Sequence, residues 1–342
     1  MSLNAFPPPQ QRLVVPDTAG VVGTIRVGDG VVVAQGTVVR ARAGAVAIGA
    51  GTAVLENGVV VGTPAAPVSV GRRTVFGHRC VVVGATVGDL CEIGNASILM
   101  PGARLGDRCF LGEGTLVPAG AAIADDSVVV GRPGRLVRRA GPADLDRLRR
   151  LRDGDLGLPP AELRPHTGHI PAGGTMGRRY AYRGKLPAIA PTAVLFDTAE
   201  ITGDVVIGDG AIIGAGVKIV GDSHGPVRIG ARVQILENTV LHLLPDNELV
   251  LEDDVIIGPG CMIHGCRIGA GTVVEPGAIV CDGSRVGRES IVRAGAVVKQ
   301  RTQLADRVVV DGFPAAATAT LAHAPATPPW AFTLDDLPEA IS

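Results

Sequence analysis

Residues 257–266 read IGPGCMIHGC and place one histidine, His264, among glycines, cysteines and aliphatics. A single imidazole there is either buried packing or one ligand of a metal whose other ligands lie elsewhere, neutral imidazole being the commonest protein metal ligand. The chain says where to look, because it is written twice. VAIGAGTAVLENGVVV matches VRIGARVQILENTVLH, and TVFGHRCVVVGATVGDLCEIG matches VIIGPGCMIHGCRIGAGTVVE, both displaced by 181 positions. In that frame His242 stands opposite Val61, His264 opposite Val83, and His78 opposite Pro259. Three equivalent positions carry histidine in one copy or the other, never in both. The first and third are 22 residues apart and the first and second 17.

The elements that must hold these residues come from a shorter repeat. VGDGVVVAQGTVVRA, IGDGAIIGAGVKIVG and IGAGTVVEPGAIVCDGSRVGRESIVRAGAVV place an aliphatic and then Gly or Ala about every six residues. That period fits neither a helix nor a plain strand. It fits a β-solenoid in which each hexapeptide makes one flat side and a turn, and three sides make a coil of about 18 residues. The expected fold class is all-β: two tandem left-handed parallel β-helices with a short helix after the first. Spacings of 17 and 22 return near one coil, so the three histidine positions are expected close together on the wall. The expected domains are residues 1–139 and 181–321. PADLDRLRRLRD between them sets Leu145, Leu148 and Leu151 on one helical face, to pack on the first prism. The rest of 140–180 reads as a Gly- and Pro-rich linker, and 322–342 as a flexible tail.

Apolar residues are 46% and aromatics 3%, with 48 Gly and 25 Pro. Such aliphatic content suits narrow, regular β interiors. A net charge of -1 gives no electrostatic reason to expect nucleic acid or an anionic membrane as a partner. No apolar run reaches the roughly 18 residues of a bilayer span. The opening MSLNAFPPPQQ has neither the basic start nor the apolar core of a signal peptide. The six cysteines lack CxxC spacing and are expected as free, mostly buried thiols of a cytoplasmic protein.

The segments ILENTVLH, IGPGCMIHGC and FGHRC together resemble the gamma-class carbonic anhydrases, over nearly all of both copies. That family's motifs run from a Gln-Asp-Asn segment to a His, then Gly-His, then His-Gly-Cys. Its members are trimers of left-handed β-helices with zinc between subunits. Two ligands come from one subunit and the Gly-His ligand from its neighbour. The resemblance implies that His242 and His264 of the second copy and His78 of the first form one composite site. The implied cofactor is Zn²⁺, with Fe²⁺ or Co²⁺ possible in the same ligand set. Three neutral imidazoles leave zinc an open position for water, whose pKa falls toward ~7. The implied reaction is metal-hydroxide attack on carbon dioxide, or on a related hydrolytic or lyase substrate. The implied partners are a small-molecule substrate and further subunits, either copies of this chain or a homologous β-helix.

Other family positions are also split or changed. The family's Arg-x-Asp subunit contact keeps Arg40 in the first copy and Asp222 in the second. The family Gln is Leu55 and Leu236, its Asp is Glu56 and Glu237, and Asn57 and Asn238 remain. Arg40, Asp222, Glu237 and Asn238 are therefore the catalytic candidates, with Glu237 either a general base or an interface partner of an arginine. Of the acidic proton-transfer loop only LPDNELVLEDD is left, with Asp246 and Glu248. His224 reads as a loop residue, and His166, His169 and His323 carry no assigned role. Two rival readings stay open. One is a hexapeptide acyltransferase, which needs one catalytic histidine between subunits. The other is a scaffold subunit without activity.

Overall fold

A six-residue side has room for a strand of a few residues and a turn, and the hexapeptides make that. The structure, a computed structural model, describes residues 13–168, 176–222, 225–333 and 336–337. It divides into two compact units, Met1–His169 and Ile170–Ser342.

In the first unit, strands mostly two to four residues long stack in parallel. Each residue lies opposite one a coil further on. Glu92 pairs with Phe110 and Phe110 with Val128 on one face. Val81 pairs with Ile98 and Ile98 with Leu116 on the second, and Thr86 with Arg104 and Arg104 with Ala122 on the third. One residue of each strand points inward, so Val54, Phe76, Ile93, Leu111 and Val129 line the axis with almost no exposure. Each such burial contributes about 1.5–3 kcal/mol. Thr and Ser fill other interior positions by bonding the backbone, as Thr74 Oγ1 donates to Gly88 O at 2.8 Å. The last coil strand, Ser127–Val130, is closed by an antiparallel partner, Arg135–Arg139.

Helix α1 (Pro142–Leu151) follows. Pro142 opens it, where a missing N–H costs nothing. Asp144 accepts the Gly141 N–H at 2.8 Å. Leu148 is fully buried between Leu90 and Phe110, and Leu145 and Leu151 are half-buried, so the expected face is the packed one. The segment expected as a plain linker is fastened further than its composition suggested. Arg73 binds Gly157 O at 2.7 Å, and strand Arg164–Thr167 pairs antiparallel with Gly20–Val27. Pro165 is tolerated there because it stands on an edge strand.

The second unit repeats the plan. Val206 pairs with Arg228, Arg228 with Val250, Val250 with Arg267 and Arg267 with Arg285. Val308–Gly312 and Ala315–Thr320 form the same closing hairpin. The tail departs from expectation. Trp330, Ala331 and Phe332 are buried, and the Phe332 ring stands 5.4 Å from that of Phe196. Phe332 N–H donates to Gln234 Oε1 at 2.9 Å, and Gln234 Nε2 donates to Phe332 O at 3.2 Å. Two aromatics and a backbone clamp seat this part of a segment that composition alone reads as loose. Among the described residues no helix is long and apolar enough to cross a membrane.

Candidate metal centre

Strand Val240–His242 lies beside Met262–His264 in register, with Leu241 opposite Ile263 and His242 opposite His264. Leu241 and Ile263 point inward and are fully buried. Alternation along a strand then turns both histidines out onto the wall. Their rings meet edge to face, centroids 5.0 Å apart, with His242 Nδ1 3.0 Å from His264 Nε2. The far nitrogens each face a carboxylate: His242 Nε2 is 3.4 Å from Asp222 Oδ2, and His264 Nδ1 is 2.6 Å from Asp282 Oδ2. His242 and His264 keep 35% and 22% of their side-chain surface open, so the pair is reachable from outside.

This donor arrangement fits a small divalent ion. Two imidazole nitrogens bound at about 2.0–2.1 Å to one tetrahedral ion stand about 3.3 Å apart. The observed 3.0 Å is within a small adjustment of that. Carboxylates on the outer nitrogens are the usual supports of metal-binding histidines. Among the described residues, however, no group of three or more His, Cys, Asp or Glu is arranged to hold an ion by itself. Holding an ion here would take at least one further ligand from outside this cluster.

His78 belongs to the first unit. Its backbone N–H donates to Asn95 Oδ1 at 2.7 Å, and its Nδ1 lies 2.8 Å from Glu56 Oε2, with about half of the imidazole exposed. Arg40 is buried, opposite Val61, in strand Val38–Ala41. Ile219 opposite Leu241 puts Val220 at the corresponding place in the second unit, so Asp222 lies just beyond it, against His242. Glu237 is buried at 1% exposure. Asn57 and Asn238 both sit at corners with positive φ, 58° and 54°. Asn tolerates that conformation better than most side chains, which gives both copies a backbone reason to keep it.

The family described as hexapeptide repeat of succinyl-transferase matches residues 67–100. The carnitine operon protein CaiE of Proteus is 34% identical over 136 residues, covering 40% of this chain and 68% of that protein. The chain belongs to the hexapeptide-repeat family. A carbonic anhydrase of Geobacillus kaustophilus is 40% identical over 103 residues, covering 30% of this chain and 56% of that relative. An uncharacterized transferase, YtoA of Bacillus subtilis, is 45% identical over 89 residues, covering 26% of this chain and 52% of that protein. The chain thus spans little more than half the length of two of these three relatives.

Within a hexapeptide-repeat wall, residues one coil apart touch. Asp282 is 18 residues beyond His264. Sequence reading missed it, although a search one coil away from each histidine would have found it. Five of the six cysteines are buried in these walls. Cys80 and Cys261, equivalent in the two copies, each bond a carbonyl at 3.2 Å, and burial pushes both thiols up to about 12. All six cysteines are free.

Proposed function

We propose that His242 and His264 are two ligands of a divalent metal site of gamma-carbonic-anhydrase type, with His78 of another copy of the chain as the third. The proposed reaction is hydration of carbon dioxide or a related hydrolytic or lyase reaction on a small molecule. The observation that supports this most is the pair of outward imidazoles with nitrogens 3.0 Å apart and a carboxylate behind each ring. Zinc, or iron or cobalt in the same place, would supply a Lewis acid and lower the pKa of water there. The chain's own residues present the ligands. Leu241 and Ile263 lock the two strands to the core, and Asp222 faces the outer nitrogen of His242. The test is metal content after purification without chelators. Roughly one zinc, iron or cobalt per chain, lost in His264→Ala and in His78→Ala, is expected. Loss in His264→Ala alone would remove His78 from the ligand set, and no metal in any form would end the reading.

A second reading, acyl transfer, is favoured by the His78–Glu56 contact of 2.8 Å. An imidazole with a carboxylate beside one nitrogen has the other nitrogen left to serve as a general base. The transferase name of the YtoA relative points the same way. Thioester consumption by metal-stripped protein in the presence of a small amine or alcohol, abolished in His78→Ala, would favour it over the metal site.

A further inference from the structure

We infer that Asp282 is a positioning residue that fixes His264 for metal binding, and that Asn247 and the Leu244 amide hold Asp282 in place for it. The inference rests on the metal reading above. Asp282 divides its two oxygens between two tasks. Oδ2 takes His264 Nδ1 at 2.6 Å. Oδ1 accepts from Asn247 Nδ2 at 3.2 Å and lies 3.3 Å from the Leu244 N–H. With Oδ1 committed to the 243–248 loop, the carboxylate cannot swing away, and its other oxygen is aimed at the ring. Asn247 also donates to Gly265 O at 2.7 Å, one residue past His264, which ties the same loop to the strand that carries the histidine. A side chain at Gly265 would collide with both Asn247 and Asp282, so the glycine following His264 keeps room for the clamp.

The consequence for the imidazole is specific. An N–H donated from Nδ1 to a carboxylate sets the tautomer, leaving the Nε2 lone pair directed at His242. The first copy supports the assignment. Where it has Val83 in place of His264, it has Pro101 in place of Asp282, and TPAAP where the second copy has the Asn247 loop.

The test is Co²⁺ binding to the metal-stripped full chain, followed by calorimetry and by the visible absorption of the bound ion. Asp282→Asn is expected to bind Co²⁺ about 10–100-fold more weakly than wild type with an altered spectrum. Asn247→Ala is expected to shift affinity the same way by less. Once His264 is alanine, Asp282→Asn should cause no further loss. Wild-type affinity and spectrum in Asp282→Asn would overturn the positioning role and leave the metal site standing. An equal loss in the His264→Ala background would assign Asp282 to general structure instead. No Co²⁺ bound by wild type, or undiminished binding in His264→Ala, would remove the metal reading itself and the inference with it.

Discussion

Phe332→Ala should release the seated tail of the second unit without unfolding the solenoid. Phe332 is 3% exposed and packs on Phe196, itself 1% exposed. Burying a phenylalanine is worth about 1.5–3 kcal/mol, and a tilted aromatic pair adds about 0.5–1.5 kcal/mol. Phe→Ala in a closed core costs about 3–5 kcal/mol because a cavity remains. Here the segment can leave the wall, so the loss is capped by its own docking energy. We take about 2–3 kcal/mol, which raises the opening equilibrium roughly 30–140-fold at 1.4 kcal/mol per tenfold. The assay is native-state hydrogen exchange, read at the Phe332 amide, which Gln234 holds at 2.9 Å. That amide should exchange faster by this factor, while amides of the interior strand Met262–His264 keep their wild-type rates. Unchanged protection at Phe332 would refute the reasoning. So would an equal loss across the unit, because the tail would then be part of the global core.

A Cβ built on Gly214 would lie 3.2 Å from both Phe332 Cζ and Glu237 N, so the Phe332 ring stands beside the backbone of Glu237.

The remaining predictions concern charge and thiols. The Arg138 guanidinium and the Gly141 N–H hold the Asp144 carboxyl down to about 2. A depressed carboxyl stabilises the fold above its unfolded value near 3.9 and stops doing so as pH falls through its folded value. Asp144→Asn should thus flatten the fall in thermal midpoint between about pH 4 and pH 2. An unchanged slope would mean that the pair is equally formed in the unfolded chain. At neutral pH a disulfide reagent should label at most Cys281 in the native protein, the other five cysteines being buried. Rapid labelling of two or more would contradict that burial.

Much of this was legible in the sequence, for reasons that particular residues make plain. The period of six fixes which side chains enter the axis. The offset of 181 carries the closing hairpin of Ser127–Val130 onto that of Val308–Gly312. The 22-residue spacing of His242 and His264 proved to be a register pair. What could not be read is what depends on side chains from separate coils meeting. Asp282 carries no local signal and matters only because the next coil sets it under His264. The seat of the tail is built by Phe196, Gly214 and Gln234, which are far apart in sequence, while the tail itself is Pro-rich and unpatterned.

The differences between the two copies gather around the histidine positions. Regular coils repeat at 18, the separation of His264 and Asp282, but His242 and His264 are 22 apart. The surplus residues form the 243–248 loop, which supplies Asn247. In the first copy the same surplus is a tight turn bridged between Thr63 and Ala66, with no carboxamide to offer. That copy has Val61, Val83, Pro101 and Ala66 where the second has His242, His264, Asp282 and Asn247. The second copy shows the converse: it has Pro259 for His78 and Pro276 for Asn95, the residue that binds the His78 backbone. The partition is incomplete, because Glu56, which lies 2.8 Å from His78, has a counterpart in Glu237 of the second copy. What the first copy lacks is the whole support of the His264 position, loop included. Replacing Pro101 by Asp and Val83 by His in the first copy should therefore restore little, because the loop that would hold the carboxylate is absent.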